Sequence, residues 1–297
     1  MNSPLVSILI PNYNYGRYLK KCLDSAFSQS YKNIEVVLCD NGSTDNSMEI
    51  ASSYIGSGLI LNSRSFMSAN FYHNVYEYCR GKYFVVLHSD DCIRPEFIEK
   101  AVVILEQHPN VGFLHGERDY IYENDNITEL DFFFNQSFIA TGKAMLPVLV
   151  MTGLGFSSQT IIRRDSFVNA HKYYTDMTWA SIDMELWFRL SMVSDYAYMR
   201  EKTCYYRVHA KSFNNTYMDT LESCTGMLVT LQSLFEWAEI RGYTEVLERK
   251  VEAYKKMTSR SYYHVHSAIV NNKFDTARKY INLIKLYDPD CYMDERL

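Results

Sequence analysis

The amino-acid sequence predicts an α/β fold with a C-terminal helical extension, and three observations carry that prediction. Short apolar runs alternate with apolar residues at helical spacing up to about residue 110. Polar and acidic groups stand where each run stops. From about Thr220 onward the pattern is wholly helical.

The elements follow in order. Val6 to Ile10 is an apolar run closed by Pro11, as a buried strand would be, and Asn12 to Gly16 supplies turn residues. Leu19, Cys22, Leu23, Ala26 and Phe27 then recur at helical spacing. A second run, Ile34 to Cys39, ends in Asp40, Asn41 and Gly42, and Ser43, Thr44 and Asp45 offer caps for another helix. In open parallel sheets ligands bind at such strand ends. Phe71 to Arg80 reads as a helix stopped by Gly81. Tyr83 to Leu87 reads as a short buried strand, with Asp90 and Asp91 beyond it. Pro95 opens a helix from Glu96 to Gln107, and Val111 to His115 is strand-like.

Glu117 to Tyr174 is mixed, with a polar and aromatic insertion around Asn124 to Gln136. Gly153 and Gly155 interrupt the pattern before a strand from Gln159 to Arg163. Asp183 to Val193 is a helix with Leu186, Trp187 and Leu190 on one face. Tyr205 to His209 reads as a last short strand or loop. Leu228, Leu231, Leu234 and Phe235 mark an amphipathic helix, Val246 to Met257 another, and Asn272 to Ile281 a third.

Composition narrows the function. The 297 residues are 47% hydrophobic and 15% aromatic, ample for a core, and include 25 tyrosines suited to packing and to stacking on sugars. A formal charge of −5 argues against a nucleic-acid binder dominated by phosphate contacts. No apolar run reaches the roughly 18 residues of a membrane span. The chain enters a strand without a charged and apolar leader, so a cytoplasmic protein is expected, with peripheral attachment at the inner membrane face as its variant. Seven scattered cysteines form no CxxC pair or zinc spacing, which fits reduced thiols.

The segment VSILIPNYNYGRYLKKCLDSAFSQSYKNIEVVLCDNGSTDNS, with HSDD downstream, resembles the inverting family 2 glycosyltransferases of the GT-A fold. The PNYN element, the QSYKNIEVV stretch and the DNGSTDNS loop stand in that family's order, and the resemblance covers about Leu5 to Ser212. It implies a Rossmann-like mixed sheet flanked by helices that binds a nucleoside diphosphate sugar. The implied organisation is a glycosyltransferase domain over residues 1–219, with a nucleotide-binding half (1–110) and an acceptor-binding half (111–219). A helical extension over 220–297 would serve assembly, as a homo-oligomer, or acceptor docking.

Three chemical tasks then assign candidates. To hold the base, Tyr13 offers an aromatic face and Asp40 a carboxylate for a pyrimidine ring N3–H, as matching positions do in the family. Pro11, Asn14 and Ser89 join them as nucleotide-binding candidates; Asn14 and Asp45 would alternatively only cap their loops. To hold the diphosphate, Asp90 and Asp91 would bind Mn²⁺ or Mg²⁺. His88 stands where the family has its first acid; it would face ribose or water, or else act as a ligand, where imidazole tolerates Mn²⁺ better than Mg²⁺. His209, in Tyr-Arg-Val-His-Ala-Lys-Ser, matches a histidine that closes the metal or diphosphate site. Arg207 and Lys211 would neutralise phosphate or be surface charges. To take the acceptor proton, the block Ser181-Ile-Asp-Met-Glu-Leu-Trp nominates Asp183 as catalytic base, with Glu185 as fallback; Ile182 replaces the family's usual acid. An aspartate at a helix start would alternatively be a cap. Gly153 and Gly155 would let a loop approach a sugar or simply make a turn; Trp179 or Trp187 would wall the sugar, although the apolar face that carries Trp187 places it in the core.

The expected activity is metal-dependent, inverting transfer of a hexosyl group from a UDP- or dTDP-sugar to a glycan or lipid-linked acceptor, in bacterial surface polysaccharide synthesis. Two other readings remain at this stage. A nucleotidyltransferase also pairs an α/β nucleotide site with acidic metal ligands, but PNYNYGRY is a poor phosphate loop. A degenerate domain that only binds nucleotide sugars or partners would explain His88 and Ile182.

Overall fold

The computed structural model describes residues 3–63, 71–152, 157–171, 182–210, 212 and 221–289. Gly153, Gly155, Trp179 and Lys211 therefore lie outside the described residues, as does the side chain of Asp183.

The strands are β1 (Val6–Asn12), β2 (Ile34–Asp40), β3 (Leu59–Ser63), β4 (Tyr83–Val86), β5 (Cys92–Ile93), β6 (Val111–Tyr122), β7 (Ile127–Thr128), β8 (Phe138–Ala140), β9 (Thr160–Arg163) and β10 (Asp195–Val208). Among the described residues they form one mixed sheet in the order β3-β2-β1-β4-β9-β6-β10-β5, with β7 on β6 and β8 on β10. The first four are parallel. Strand β9 is antiparallel to both neighbours, and β10 runs parallel to β6. The sheet is continuous across residue 110, so the two expected halves share it.

Alternation sorts the strand residues onto two faces. Ile8, Ile10, Val36, Leu38, Tyr83 and Val85 join a core with helices α1 (Gly16–Phe27), α2 (Ser47–Ser52) and α4 (Phe97–Gln107). Phe84, on the alternate register, meets Phe167 of α6 (Arg164–His171) edge to face, and Phe167 meets Tyr76 of α3 (Phe71–Tyr78). Both faces are thus covered, which is why β1, β2 and β4 read as continuous apolar runs.

Strand β1 continues through Pro11 to Asn12. Pro11 shares the orientation of Leu9, whose carbonyl accepts from Leu87 on the β4 side. Pairing with β4 stops at Leu9, so the missing N–H of Pro11 costs no ladder bond. The expected short element at Tyr205 to His209 is the end of a 14-residue strand. Arg200, Glu201 and Lys202 interrupt its apolar pattern where the register with β6 shifts.

The chain divides into two compact units: residues 1–142, 156–174 and 189–209, which hold the sheet, and residues 143–155, 175–188 and 210–297. The second unit has a long C-terminal stretch that starts at residue 210, and its other two segments, 143–155 and 175–188, come from inside the span 1–219. It contains most of α5 (Gly142–Thr152), the start of α7 (Ile182–Val193), and α8 (Glu222–Arg241), α9 (Thr244–Leu247), α10 (Lys250–Val270) and α11 (Phe274–Tyr287). The expected helix from Val246 to Met257 is split by Glu248 and Arg249 into α9 and α10. Helices α10 and α11 form an antiparallel hairpin, joined by Thr258 to Asp288, Ser261 to Tyr287 and the stacked rings of His264 and Tyr280. Asn272, at φ 57°, closes α10: its N–H reaches the Ile269 carbonyl, and that of Lys273 reaches Ala268.

Candidate functional site

Parallel strands β2 and β4 flank β1, and each ends in an acidic loop. After β2, Asp40 is buried and accepts four hydrogen bonds from its own surroundings. Asn12 Nδ2 (2.7 Å) and Ser43 Oγ (2.6 Å) donate to Oδ1, and the backbone N–H groups of Gly42 (3.1 Å) and Ser43 (2.8 Å) donate to Oδ2. The register pairs Asn12 with Asp40, which is how the two side chains meet. Gly42, at φ 83°, makes the turn that brings those N–H groups round. As built, both oxygens of Asp40 are engaged in shaping the loop.

Asn14 and Asp45 brace the same corner. Asn14, at φ 57°, accepts from the Thr44 N–H (2.7 Å). Asp45 accepts from the N–H groups of Gly16 (2.8 Å) and Ser47 (3.0 Å), tying the starts of α1 and α2 together. These bonds hold its carboxyl below the usual range against the opposing effect of burial, which is the largest influence on it. A Cβ on Gly16 would come within 2.2 Å of Asn46 Oδ1 and 3.0 Å of the Ser47 nitrogen, so a larger residue there would have to displace the Asn46 side chain. Tyr13, in the same turn, is 55% exposed.

After β4, His88, Asp90 and Asp91 each present a ligand atom, and these atoms lie within 4.8 Å of one another. His209 Nε2 is 3.0 Å from Asp90 Oδ2, so the late histidine joins the group. The His209 ring packs against Tyr18 (4.8 Å) and Tyr15 (5.6 Å) of the β1–α1 corner. Asp91 is buried and accepts from Ser158 Oγ (2.6 Å) and the Arg207 N–H (2.8 Å). Burial, and then the neighbouring Asp90, push its carboxyl up to about 6. Ser89 is buried in the turn.

Arg207 does not face outward to a phosphate. It is 1% exposed; its Nε donates to the Asp90 carbonyl (2.8 Å), and its Nη1 donates to the Tyr122 carbonyl (3.0 Å) and Asp125 (3.3 Å). The guanidinium lies over the Tyr18 ring at 4.8 Å. Arg207 thus supports the acidic turn from behind. Ser158 and Cys22 do the same: the Ser158 hydroxyl accepts from the His88 N–H (3.1 Å), and Cys22 Sγ reaches the His88 carbonyl (3.5 Å). No local sequence signal marks Ser158 or Cys22; they meet the turn only through the fold.

Asp183 lies in the first turn of α7 and belongs, with the half-buried Glu185, to the second unit. Trp187 is buried core. The six described cysteines are free thiols.

The model of glycosyl transferase family 2 matches residues 7–168, more than half of the chain. The chain belongs to glycosyl transferase family 2. An uncharacterized glycosyltransferase of Rickettsia prowazekii is 28% identical over 236 residues, covering 74% of this chain and 69% of that one. Among solved structures, Staphylococcus aureus TarS residues 1–349 in complex with UDP aligns at a TM-score of 0.57 and 18% identity, covering 82% of this chain and 71% of that one. A Pyrobaculum calidifontis mannosyltransferase in complex with GDP-mannose and Mn²⁺ aligns at 0.58 and 15%, covering 96% and 81%. The family 2 chain therefore has the GT-A fold expected from its sequence, a mixed sheet flanked by helices. It is a glycosyltransferase by family.

Proposed function

We propose that this family 2 chain is a metal-dependent inverting glycosyltransferase that takes a UDP- or dTDP-sugar as donor. The observation that carries the proposal is the group at the end of β4: His88, Asp90 and Asp91 within 4.8 Å, with His209 on Asp90. Carboxylate oxygens with one or two imidazoles suit Mn²⁺ at least as well as Mg²⁺, so the donor set fits a divalent cation. When bound, such a cation would supply Lewis-acid stabilisation of the negative charge that develops on the departing diphosphate. Asp90 would be its principal holder, with Asp91, His88 and His209 as further candidate ligands.

The chain's own groups do the rest. Tyr13 stacks on the base. Recognition of a pyrimidine N3–H by Asp40 requires one of its four loop bonds to yield, and the carboxylate sits at the strand end where that exchange is possible. Asp183 takes the proton of the acceptor hydroxyl as the oxygen attacks the anomeric carbon. One base and no covalent nucleophile give a single displacement with inversion. The acceptor is a glycan or lipid-linked hydroxyl, and the setting is bacterial surface polysaccharide synthesis in the cytoplasm. The TarS and mannosyltransferase structures, with UDP and GDP-mannose, accord with a nucleoside diphosphate sugar as donor class.

His88 favours a second reading, a domain that binds nucleotide sugar without turnover. A screen of nucleotide sugars for hydrolysis and transfer with Mn²⁺, with and without chelator, separates the two. Turnover that survives excess chelator defeats the metal-dependent proposal, and binding without turnover supports the second reading. Asp183→Asn should lower transfer by roughly 10²–10⁴-fold while donor binding holds, the usual worth of a positioned base. Glu185→Gln should matter far less, since residues two apart on a helix do not share a face.

A further inference from the structure

The α10–α11 hairpin has a charge opposite to that of the rest of the molecule. Residues 250–287 hold eight lysines and arginines against two acids, Glu252 and Asp275, a formal charge of +6. The whole chain carries −5, so everything outside the hairpin carries −11. Such segregation within one sequence gives the hairpin a field of its own sign.

Apolar side chains stand exposed among these cations. Tyr263 (65% exposed) and Val270 (64%) lie on the solvent face of α10, seven residues apart and so on one stripe. Lys255 flanks that stripe, and Arg260 borders it. The buried side of the helix is Ala253, Met257, Ser261, Val265 and Ala268, which leaves the Tyr263 stripe pointing away from the hairpin core. At the hairpin tip, Val270, Lys273 and Phe274 (60%) are all exposed around the Asn272 turn. Large apolar groups set singly on a surface are ordinary, but here they interleave with a net positive field.

We propose that this hairpin docks on an anionic lipid bilayer surface. Cations near such a surface gain from its negative potential, and aromatic and aliphatic side chains gain by entering the headgroup boundary. A polyanion such as nucleic acid or an acidic glycan rewards the cations only and leaves Val270 and Phe274 in water. A second copy of the chain offers the acidic remainder to the cations, and that arrangement is a competing outcome of the test. Among the described residues no helix is long and apolar enough to cross a membrane, so the hairpin's attachment would be at the surface. The inference stands apart from the transferase proposal, because it uses only the hairpin and is read without a donor.

The test is co-sedimentation of the full chain with vesicles of phosphatidylglycerol and phosphatidylcholine in equal parts, against pure phosphatidylcholine. Binding to the anionic vesicles, weakened by added salt, is expected. Lys255→Glu, Arg260→Glu and Lys279→Glu alter exposed cations, and each should weaken partitioning at least about fivefold, the worth of one cation at such a surface. Val270→Ser with Phe274→Ser should weaken it further at unchanged charge. Circular dichroism and thermal melting confirm that the variants fold. Equal sedimentation with neutral and anionic vesicles, or no response to charge reversal, overturns the proposal. So does a salt-sensitive dimer, seen by light scattering, that the same substitutions dissolve while vesicle binding is absent. Binding of duplex DNA that charge reversal weakens but the serine pair leaves unchanged, with vesicles unbound, overturns it in favour of a polyanion.

Discussion

The two loops beside β1 begin from the same chemistry and end in different states. Each follows a parallel strand, and each places aspartate at the strand's carboxyl end. In the β2 loop, four donors from within a few residues or from the paired strand converge on Asp40, and the side chain is buried. In the β4 loop, the donors that fix the turn converge on its backbone and on Asp91. Among the described residues, the Asp90 carboxylate meets only His209, and it stays partly open to solvent. A carboxylate's availability thus depends on how many donors its own loop aims at it. Asp40 is engaged in building its loop, and Asp90 is held out of its turn by bonds that others make.

The comparison breaks most sharply at Asp90. Asp90→Ala should leave the turn standing, because Arg207 and Ser158 bond to the Asp90 carbonyl, the His88 N–H and Asp91. Metal-supported transfer should fall by about 10³-fold, several kcal/mol of lost charge stabilisation. Steady-state rates against Mn²⁺ concentration measure it. Full activity in this variant would remove Asp90 from the metal site.

Asp40→Ala should act on folding. It removes the acceptor for the Gly42 and Ser43 N–H groups, which water can partly replace, and loses the Asn12 and Ser43 side-chain bonds, of which that of Asn12 is buried, at a cost of about 2 kcal/mol. Thermal or urea unfolding of the nucleotide-free protein reads this. A variant as stable as the parent, yet weak for pyrimidine nucleotides by calorimetry, would turn the assignment round and make base recognition the main work of Asp40.

What the sequence made legible divides along the same line. The β2 loop was readable because its parts are local: Asp40, Gly42, Ser43 and Asp45 lie within six positions. Only Asn12 is distant, and the parallel register brings it alongside. The acidic turn was readable as a run of donors, and the GT-A fold from the order of the motifs. The supports of that turn were not. Arg207 reaches Asp91 across 116 residues and Ser158 across 67, and neither distance leaves a periodic trace. Arg207 reads as a phosphate contact in sequence because an arginine two residues before a site histidine gives no sign of burial. Only the end of β10 is legible in the sequence, because Arg200 to Lys202 mimic a turn at a register shift.

Arg207 sharpens the comparison with a smaller effect. As a positioning residue it should alter how the turn presents Asp90 without touching donor. Arg207→Lys keeps a charge over the Tyr18 ring but cannot reproduce both the Asp90 and Tyr122 carbonyl bonds. Metal affinity should weaken by about 10–100-fold, as for other outer supports of metal ligands. Transfer at saturating metal should recover most of its rate. Calorimetric titration with Mn²⁺ beside saturating-metal kinetics separates this from a phosphate contact, which would instead raise the KM for donor.

The smallest effect is in pH, and it follows from the buried half of the acidic turn. Asp91 in the folded, metal-free protein holds its proton to about pH 6, because burial and the adjacent Asp90 disfavour a second negative charge. In the unfolded chain an aspartate releases its proton near 3.9. Between those values the folded state binds more protons than the unfolded one. Unfolding free energy contributed by this group therefore falls as pH rises from about 4 through 6, with a slope of at most about 1.4 kcal/mol per pH unit. Other carboxylates, such as Asp45 with its lowered range, work in the opposite direction and at lower pH. The contribution of Asp91 is isolated by comparing the parent with Asp91→Asn in urea unfolding across pH 4 to 7. The substitution should remove the falling component, and the two curves should differ most at the upper end. Mn²⁺ should cancel the same component in the parent, since a bound cation makes two adjacent carboxylates tolerable. Parallel curves for parent and variant would mean that Asp91 is ionised throughout, and that the turn has more solvent access than its burial shows.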